Sequence, residues 1–489
     1  MKRHLYSLGR QTLIYGVSAA ALQIVGVLTL PVFARAFSPS EYGVLEIATV
    51  CVSAMLVVAD LGMASASQRS YFDYSSEERS ERGAVLATAL ATALASALLI
   101  AALAVAFRQP LADWLFHSRS YTTLVVLVAV SVPVTVLATF MREVMRLRFL
   151  AWRYTLSAVA GAVVAAAVGV WLVLQTDAGV DGVLIGVLAG NGVAAAYGLL
   201  AAGRFIGFRL SRAELRVMLA FGLPLLPAAA AMWGLALLDR LMLSRLADLD
   251  EVGQFAVGAR LALVLMLCVT AFGLAYTPFL LSLFAEDREV EKRVRARALT
   301  YLAIVLTAIS LVLALFAREI VSVIAPDFTE AYRVVGILCL GVTVFGLSSI
   351  TMAGISLVRK TGYFALFSLI ALGVNVALNL ALIPPLGGPG AALATAGAYT
   401  VLTVLYYRKA QAVYPTPYEP RKAVLVLLAG AALMPLGFLP MGAGAVALKL
   451  LALLAFAAAL LGLGVVGREE IGELRDLSRR FTRRPAPSA

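Results

Sequence analysis

Six ionisable side chains lie inside or near the ends of long apolar segments of this 489-residue chain. A charge in such a segment is costly unless it faces a partner or a water-filled cavity, so these residues are the first candidates for chemistry. The acids could carry a proton or a cation, and the guanidinium groups could bind phosphate through paired N–H donors. The candidate site residues are Asp60, Asp239, Arg35, Arg69, Arg240 and Arg260.

Asp60 and Arg260 are the most deeply placed of these charges. Asp60 lies nine residues before Arg69, roughly 13 Å along a helix, and predicts either a hydrogen-bonded helix cap or a cavity-facing site for an ion or proton. It is the only deeply placed acid that we predict, and therefore the candidate for ion coupling. Arg260 lies roughly 10 Å beyond Gly253, and it either extends back to the surface or forms a fixed cation for phosphate.

The remaining candidates lie at the ends of apolar segments. Asp239 and Arg240 are adjacent, so they point to different sides of a helix and act as either an interfacial anchor or a gate. Arg35 follows the first apolar segment, where it either rims an outer opening or terminates the helix. Asn375 and Asn379 stand one helical turn apart, a spacing that favours hydrogen bonds between helices over a site.

These charges are positioned by a membrane-embedded scaffold. The chain is 62% hydrophobic and 14% charged, with a mean hydropathy of +0.92, which is typical of an integral membrane protein. Apolar runs long enough for a bilayer follow one another throughout the sequence. They predict an all-α polytopic protein with fourteen spans, near residues 12–34, 44–66, 83–107, 121–141, 154–174, 180–202, 217–238, 254–283, 299–317, 333–358, 363–383, 389–407, 423–440 and 446–466.

The basic residues predict the orientation. With fourteen spans, 31 of the 40 Lys and Arg fall in alternate segments and 8 in the others, so the positive-inside rule places both termini in the cytoplasm. This distribution explains the net charge of +12 by contact with anionic membrane lipids, and it excludes nucleic acid as the expected partner. The three cysteines all fall in apolar spans and imply neither a disulfide nor a metal framework.

Two short stretches reveal an internal repeat. ARAFSPSEYG (34–43) and SRLADLDEVG (244–253) share an Arg, a Glu and a Gly at the same spacing, with an offset of 210 residues. AGVDGVLIG and LGGPGAALA give an offset of 208 through Gly182 and Gly390. Two six-span halves of like orientation follow, as in transporters with parallel repeats. The predicted domains are 1–205, 206–410, a two-span appendix at 411–467 and a basic cytoplasmic tail at 468–489.

The sequence does not favour an enzyme. It has two histidines and lacks a Ser/His/Asp set, a metal-ligand cluster, a phosphate loop and a nucleotide fingerprint. The predicted outer loops are too short for a membrane glycosyltransferase or polymerase. We therefore predict no catalytic residue, no metal site and no cofactor, with H⁺ or Na⁺ as a coupling ion.

Four stretches resemble the multidrug/oligosaccharidyl-lipid/polysaccharide (MOP) exporter superfamily, in particular its polysaccharide-transport branch of Wzx-type O-antigen flippases. They are PVFARAFSPSEYG, VADLGMASASQRSYFDY, EVGQFAVGARLALVL and NVALNLALIPPLGGPGAALAT. The positions that match the motifs are Arg35, Asp60, Arg69 and Arg260. The resemblance implies two six-helix lobes around a cationic cleft in the bacterial cytoplasmic membrane.

The resemblance also implies a function and partners. Undecaprenyl-(pyro)phosphate-linked oligosaccharides would be moved from the inner to the outer leaflet by alternating access, with a polysaccharide polymerase and other assembly proteins as further partners. The alternatives are a cation-coupled drug or toxin antiporter of the same superfamily and a non-transporting scaffold for polysaccharide assembly. An antiporter predicts acidic, aromatic-lined cation pockets, and the scarcity of buried acids beside Arg260 counts against it.

Overall fold

The computed structural model describes residues 21–26, 28–75, 77–358 and 362–465, which form helices with short connections. The described helices of the first predicted half are α1 (Ala21–Ala36, apart from residue 27), α2 (Pro39–Asp60), α3 (Met63–Asp73), α4 (Arg79–Ala106), α5 (Arg108–Phe116), α6 (Thr122–Leu147), α7 (Ala151–Gln175) and α8 (Gly179–Ala202). The second half contains α9 (Arg212–Gly222), α10 (Leu226–Leu246), α11 (Leu249–Glu286), α12 (Arg288–Leu315), α13 (Ala317–Ile324), α14 (Tyr332–Leu357), α15 (Gly362–Leu386) and α16 (Gly388–Val413). The chain continues with α17 (Pro420–Leu433) and α18 (Ala443–Gly462).

The membrane spans match the sequence pattern. Within the described residues, 13 helical segments are long and apolar enough to cross a bilayer, and they coincide with predicted spans two to fourteen. The apolar helix α1 overlaps the first predicted span, whose beginning lies outside the described residues, as does the predicted basic tail. The prediction of an all-helical protein with about fourteen spans is confirmed.

The repeated stretches begin the second span of each half, α2 and α11, with a side-chain cap. Ser38 accepts a hydrogen bond from the Glu41 backbone N–H, and the Glu41 carboxylate accepts one from the Ser38 N–H at 2.9 Å. Asp248 caps α11 in the same way, accepting from the Glu251 N–H at 2.8 Å. The carboxylate of Glu251 additionally accepts from the Gly388 N–H at 2.7 Å. Both glutamates therefore take part in beginning their helices, and Glu251 also holds the start of α16.

The helices of the two halves pack in the same order. In the first half α6 packs against α2, α4 and α8, and α7 packs against α8. In the second half α14 packs against α11, α12 and α16, and α15 packs against α16. The short helices α5 and α13, which the hydropathy pattern did not predict, follow α4 and α12 at equivalent outer positions. This is the repeated architecture that the offset of about 210 residues predicts.

Two of the spans are broken. Leu61 and Gly62, with φ of 48° and 75°, separate α2 from α3, while Gly222 and the prolines that follow it separate α9 from α10. A side chain at Gly62 would overlap the backbone of Gly222, so the two breaks lie directly against each other. Broken helices expose backbone groups at membrane depth and are typical of moving parts in transporters.

Helix α9 packs against the first half although the predicted boundary assigns it to the second. It contacts α3 and α4, and Tyr74 donates a hydrogen bond to Glu214 at 2.6 Å. This bond raises the pKa of Tyr74 to about 12, because loss of the proton would place two negative charges together. The seventh span thus has a cytoplasmic part on one half and an outer part on the other.

The two last helices form the predicted appendix. Both α17 and α18 pack against α12. Lys449 of α18 is fully buried and pairs with Glu319 of α13 at 2.6 Å, which neutralises its charge. Helix α18 is therefore attached to the second half by the Lys449–Glu319 ion pair as well as by apolar packing.

Candidate functional site

One carboxylate and two guanidinium groups meet where the halves touch. Glu46 lies on α2 of the first half, and Arg240 and Arg260 lie on α10 and α11 of the second. Oε1 of Glu46 is 2.7 Å from Nε of Arg240, and its Oε2 is 3.7 Å from Nη2 of Arg260. We call these three residues the interface triad. It carries one net positive charge, and it joins the halves through the membrane-embedded part of the protein.

Aromatic rings and backbone groups hold the two arginines differently. The Arg240 guanidinium lies over the ring of Phe255 at 5.4 Å, and its Nη1 donates to the Ala236 carbonyl at 2.8 Å. The Arg260 guanidinium lies 5.5 Å from the Tyr42 ring centroid. The Arg260 side chain is 29% exposed, compared with 12% for Arg240. Arg260 is therefore directed into the interface, where it keeps the more accessible cationic group.

Asp239 belongs to a second polar cluster, inside the second half. Its side chain accepts hydrogen bonds from the Thr395 hydroxyl and, at 2.7 Å, from the Asn379 amide. Asn379 also donates to Asn375 at 3.0 Å. Asp239 is 1% exposed, and the two asparagines are fully buried. Adjacent positions on α10 thus direct Asp239 into its own half and Arg240 towards the other half.

This cluster has the donor set of a cation or proton site. The Oδ1 of Asn379 is buried without a hydrogen-bond donor, beside a buried carboxylate. Carboxylate, amide and hydroxyl oxygens are ligands for hard cations, and an acid in the membrane interior can alternatively hold a proton. The described residues contain no group of three or more His, Cys, Asp or Glu that could hold a metal ion, so a cation here would depend on neutral oxygens.

Arg35 contacts the opposite half at the outer side. Its Nη2 donates to the backbone carbonyl of Val323, in α13, at 2.8 Å. Arg245, the counterpart of Arg35, lies over the Trp114 ring in α5 at 4.5 Å. Each half therefore extends an arginine from its first span to the short outer helix of the other half.

Further contacts complete this outer closure. Nε2 of His117 lies 2.9 Å from the Ser244 carbonyl oxygen, and Trp233 donates to the Ser53 hydroxyl at 3.0 Å. Together with the arginine contacts and the interface triad, these interactions hold the halves together in the outer and middle parts of the membrane. With the orientation that the positive-inside rule predicts, the described conformation is therefore closed on the outer side.

A pair of glycines marks the centre of the closure. A side chain at Gly43 would overlap the carbonyl oxygen of Leu249, and one at Gly253 would overlap that of Pro39. Both contacts join equivalent residues of the repeat, because Pro39 and Leu249 are also separated by 210 positions. Helices α2 and α11 thus approach each other backbone to backbone, which only glycine permits at these two positions.

Asp60 and Arg69 lie on the cytoplasmic side of the first half. Asp60 accepts a hydrogen bond from the Ala64 N–H at 3.1 Å across the break between α2 and α3, and it is partly exposed. The Arg69 guanidinium lies over the Phe221 ring in α9 at 4.8 Å. The structure brings together Arg240 and Arg260 through Glu46, whereas Arg35, Asp60, Arg69 and Asp239 lie at four other places.

The expectation that Asp60 is the only deeply placed acid is wrong. Glu46 is 8% exposed and Asp239 is 1% exposed, so both are more buried than Asp60. The expected scarcity of buried acids beside Arg260 is also corrected, since the buried Glu46 contacts it. Glu46 was overlooked because it lies close to the predicted start of a span. Arg260, an arginine predicted inside a span without a counter-charge, was the signal that could have found it.

A transporter architecture follows from this geometry: two like-oriented helical halves meet across the membrane and close on one side. Residues 32–335, more than half of the chain, match the family described as polysaccharide biosynthesis protein, and the chain belongs to that family. No curated protein shows significant sequence similarity to the chain.

Solved structures show the same fold at low sequence identity. The lipid II flippase MurJ in an inward closed conformation has a TM-score of 0.72 at 14% identity, covering 91% of this chain and 98% of MurJ. An inward-facing MATE-family multidrug resistance transporter of the MOP superfamily has a TM-score of 0.64 at 14% identity, covering 80% and 94%. A MOP superfamily transporter from Pyrococcus furiosus has a TM-score of 0.61 at 14% identity, covering 83% and 95%.

Family and fold together confirm the sequence-based assignment. The chain has the MOP superfamily fold, belongs to a polysaccharide biosynthesis family and is a multi-pass membrane protein. The solved structures with this fold are named as transporters and a flippase.

Proposed function

We propose that this protein is a flippase for oligosaccharides linked to undecaprenyl phosphate or pyrophosphate. It moves them from the inner to the outer leaflet of the bacterial cytoplasmic membrane for O-antigen, capsule or exopolysaccharide synthesis. The observation that carries the proposal is the interface triad: two arginines of one half meet the other half at the closed outer end of a polysaccharide-family transporter fold.

The chemistry of the triad suits a phosphate group. Moving a phosphate and several hydroxylated sugars through hydrocarbon would leave many polar groups without hydrogen bonds. A guanidinium offers two parallel donors to phosphate oxygens, and the triad has one positive charge more than Glu46 neutralises. The polyprenyl chain needs no such group, because it stays in the lipid.

The outer closure supports loading from the cytoplasmic side. Arg35, Arg245 and His117 connect the outer ends of the halves, which separates the triad from the outer leaflet in this conformation. We propose that substrate enters from the cytoplasmic leaflet. Release to the outer leaflet then requires these contacts to break. A polysaccharide polymerase and other assembly proteins are partners that we propose from the sequence resemblance.

Coupling to H⁺ or Na⁺ is part of the proposal. Asp60 was the sequence candidate, and Asp239 is the second, because it is buried and is held by the Thr395 hydroxyl and the Asn379 amide rather than by an ion pair. Binding of a cation at Asp239 would neutralise a charge next to Arg240 in the chain, and so connect the polar cluster to the interface triad.

Complementation tests the function. The gene is expressed in a bacterial mutant that lacks its O-antigen flippase, and surface polymer is measured with wild type, Arg260→Ala and Arg119→Ala. Arg119 is an exposed outer residue and serves as the matched control. We expect wild type and Arg119→Ala to restore polymer and Arg260→Ala, at equal membrane abundance, to fail.

One other result would contradict the flippase proposal, and a second would contradict only the role of Arg260. The wild type could export cationic dyes and also fail to restore surface polymer in flippase-deficient strains that make different sugar units. This combination would indicate a drug antiporter. Full rescue by Arg260→Ala would retain the flippase and remove Arg260 from substrate recognition.

A further inference from the structure

Glu46 occupies the place that an anionic ligand would take between two arginines. Its two carboxylate oxygens face two different guanidinium groups, Arg240 at 2.7 Å and Arg260 at 3.7 Å. The acid comes from the first half and both bases come from the second, so the same contact binds an anion and connects the halves. A site of this kind is filled by the protein's own carboxylate when no ligand is present.

The contact with Arg260 is the weaker of the two. At 3.7 Å the groups attract each other as ions but are beyond normal hydrogen-bond distance. Arg240 is fixed by a hydrogen bond to Glu46 and another to the Ala236 carbonyl. The N–H donors of Arg260 are therefore the ones that an incoming anion can engage first.

We propose that Glu46 is an internal competitor of the substrate's phosphate, and that phosphate displaces it from Arg260. This inference rests on the proposed function, since the anion is the phosphate or pyrophosphate of the lipid carrier. A pyrophosphate diester carries two negative charges against one on a carboxylate, and it presents more acceptor oxygens, so it gains more from the second guanidinium. A phosphate diester has one charge, like a carboxylate, and competes with Glu46 on less favourable terms.

Displacement couples substrate binding to opening of the outer side. Once phosphate takes Arg260, the ionic connection between the halves is reduced to Glu46 and Arg240, and the closed form loses part of its stability. Linkage makes this effect reciprocal: whatever weakens the Glu46 contact strengthens phosphate binding, and phosphate binding weakens closure. An unloaded transporter would thus stay closed to the outside.

The test measures binding and conformation separately. Geranyl pyrophosphate is titrated into purified full-length protein in nanodiscs, with wild type, Glu46→Gln, Arg260→Ala and Glu143→Gln. Glu143 pairs with Arg146 in a partly exposed cytoplasmic ion pair and is the matched control. We expect Glu46→Gln to bind at least about fivefold more tightly than wild type, and Glu143→Gln to bind like wild type.

Distance measurements give the second readout. Spin labels are attached to cysteines placed at Arg119 and Asp327, exposed outer residues of the two halves, after the three native cysteines are replaced by alanine. We expect longer distances to be populated when geranyl pyrophosphate binds wild type, and also in Glu46→Gln without ligand. If Glu46→Gln does not fold, Glu46→Asp, which keeps the charge but shortens the reach to Arg260, should tighten binding in the same direction.

The outcomes separate this inference from the proposed function. If Arg260→Ala loses binding while Glu46→Gln or Glu46→Asp binds no more tightly than wild type, the phosphate site stands and the competition is refuted. If wild type and Glu46→Gln both fail to bind, phosphate recognition at the triad is refuted and the inference falls with it.

Discussion

Glu46, Arg240 and Arg260 form a contact whose members are distant in the sequence. The Glu46–Arg240 hydrogen bond spans 194 residues, and no local spacing rule connects helices so far apart. Arg240 and Arg260 were predicted as candidates because a charge in or near an apolar span is costly, whereas Glu46 was not. Their pairing depends on how the two halves meet, which is a property of tertiary packing.

Asp239 is a residue whose side chain makes its contacts within one half, so its role can be tested independently of the triad. We expect Asp239→Asn to abolish stimulation of flipping by an imposed H⁺ or Na⁺ gradient, because the amide can neither hold a proton nor neutralise a cation. The Asp239→Asn variant should still bind geranyl pyrophosphate, since Arg260 is unchanged. The measurement is flipping of a fluorescent lipid-linked sugar in proteoliposomes.

Asp60→Asn provides the comparison for this experiment. Asp60 accepts a backbone hydrogen bond at the break between α2 and α3, and an asparagine can accept the same bond. Asp60→Asn should therefore keep its gradient dependence. Loss of gradient dependence in Asp60→Asn with retention in Asp239→Asn would assign the coupling to Asp60.

At the scale of elements, most of the architecture follows from hydropathy. Thirteen spans agree with the structure because long apolar runs leave little alternative in a bilayer. The short helices α5 and α13 and the breaks within the second and seventh spans were not predicted, since averaging hydropathy over a long window conceals such features. Gly62 and the prolines near Gly222 mark these breaks in the sequence only once the helices are known.

The approach of α2 to α11 yields a prediction about glycine. Gly43→Val and Gly253→Val should each prevent full outer closure, because any side chain there overlaps a carbonyl oxygen of the opposite helix. Overpacking of this kind typically costs about 1–3 kcal/mol. In the spin-labelled protein, each variant should shift the outer distances to longer values and reduce flipping.

Gly192→Val is the control for this substitution. Gly192 lies on α8, and a side chain there meets no atom within 4 Å. In Gly192→Val, the distances between the spin labels at positions 119 and 327 should match those of wild type. Unchanged distances in both Gly43→Val and Gly253→Val would mean that the helices can close without the backbone contact.

The whole molecule is held shut by contacts that cross from each half to the other. Arg35 binds the Val323 carbonyl, and Arg245 lies over Trp114. Each exposed contact of this kind contributes about 1 kcal/mol, or roughly fivefold in the ratio of closed to open forms. Arg35→Ala and Arg245→Ala should each favour the open form, and the double variant should show the product of both effects.

Chemical accessibility measures this shift. Ser53 accepts the Trp233 hydrogen bond in the middle of the interface and is replaced by cysteine. This cysteine should react faster with a membrane-impermeant maleimide, added outside cells, in the Arg35→Ala, Arg245→Ala double variant than in the protein that keeps both arginines. Arg318→Ala is the control, because Arg318 lies over Tyr332 within the second half. If the double variant reacts at the rate of wild type, the arginine contacts do not stabilise closure.

The reciprocal contact of Gly43 with Leu249 and of Gly253 with Pro39 also bears on the ancestry of the chain. In a symmetric dimer of half-length chains, the glycine of each chain would contact the backbone of the other chain across the twofold axis. One glycine codon would then encode both contacts. After gene duplication and fusion, two codons encode them and each mutates independently. A single mutation can now alter one side of the contact alone, so the fused protein can evolve an asymmetric gate that a homodimer could not.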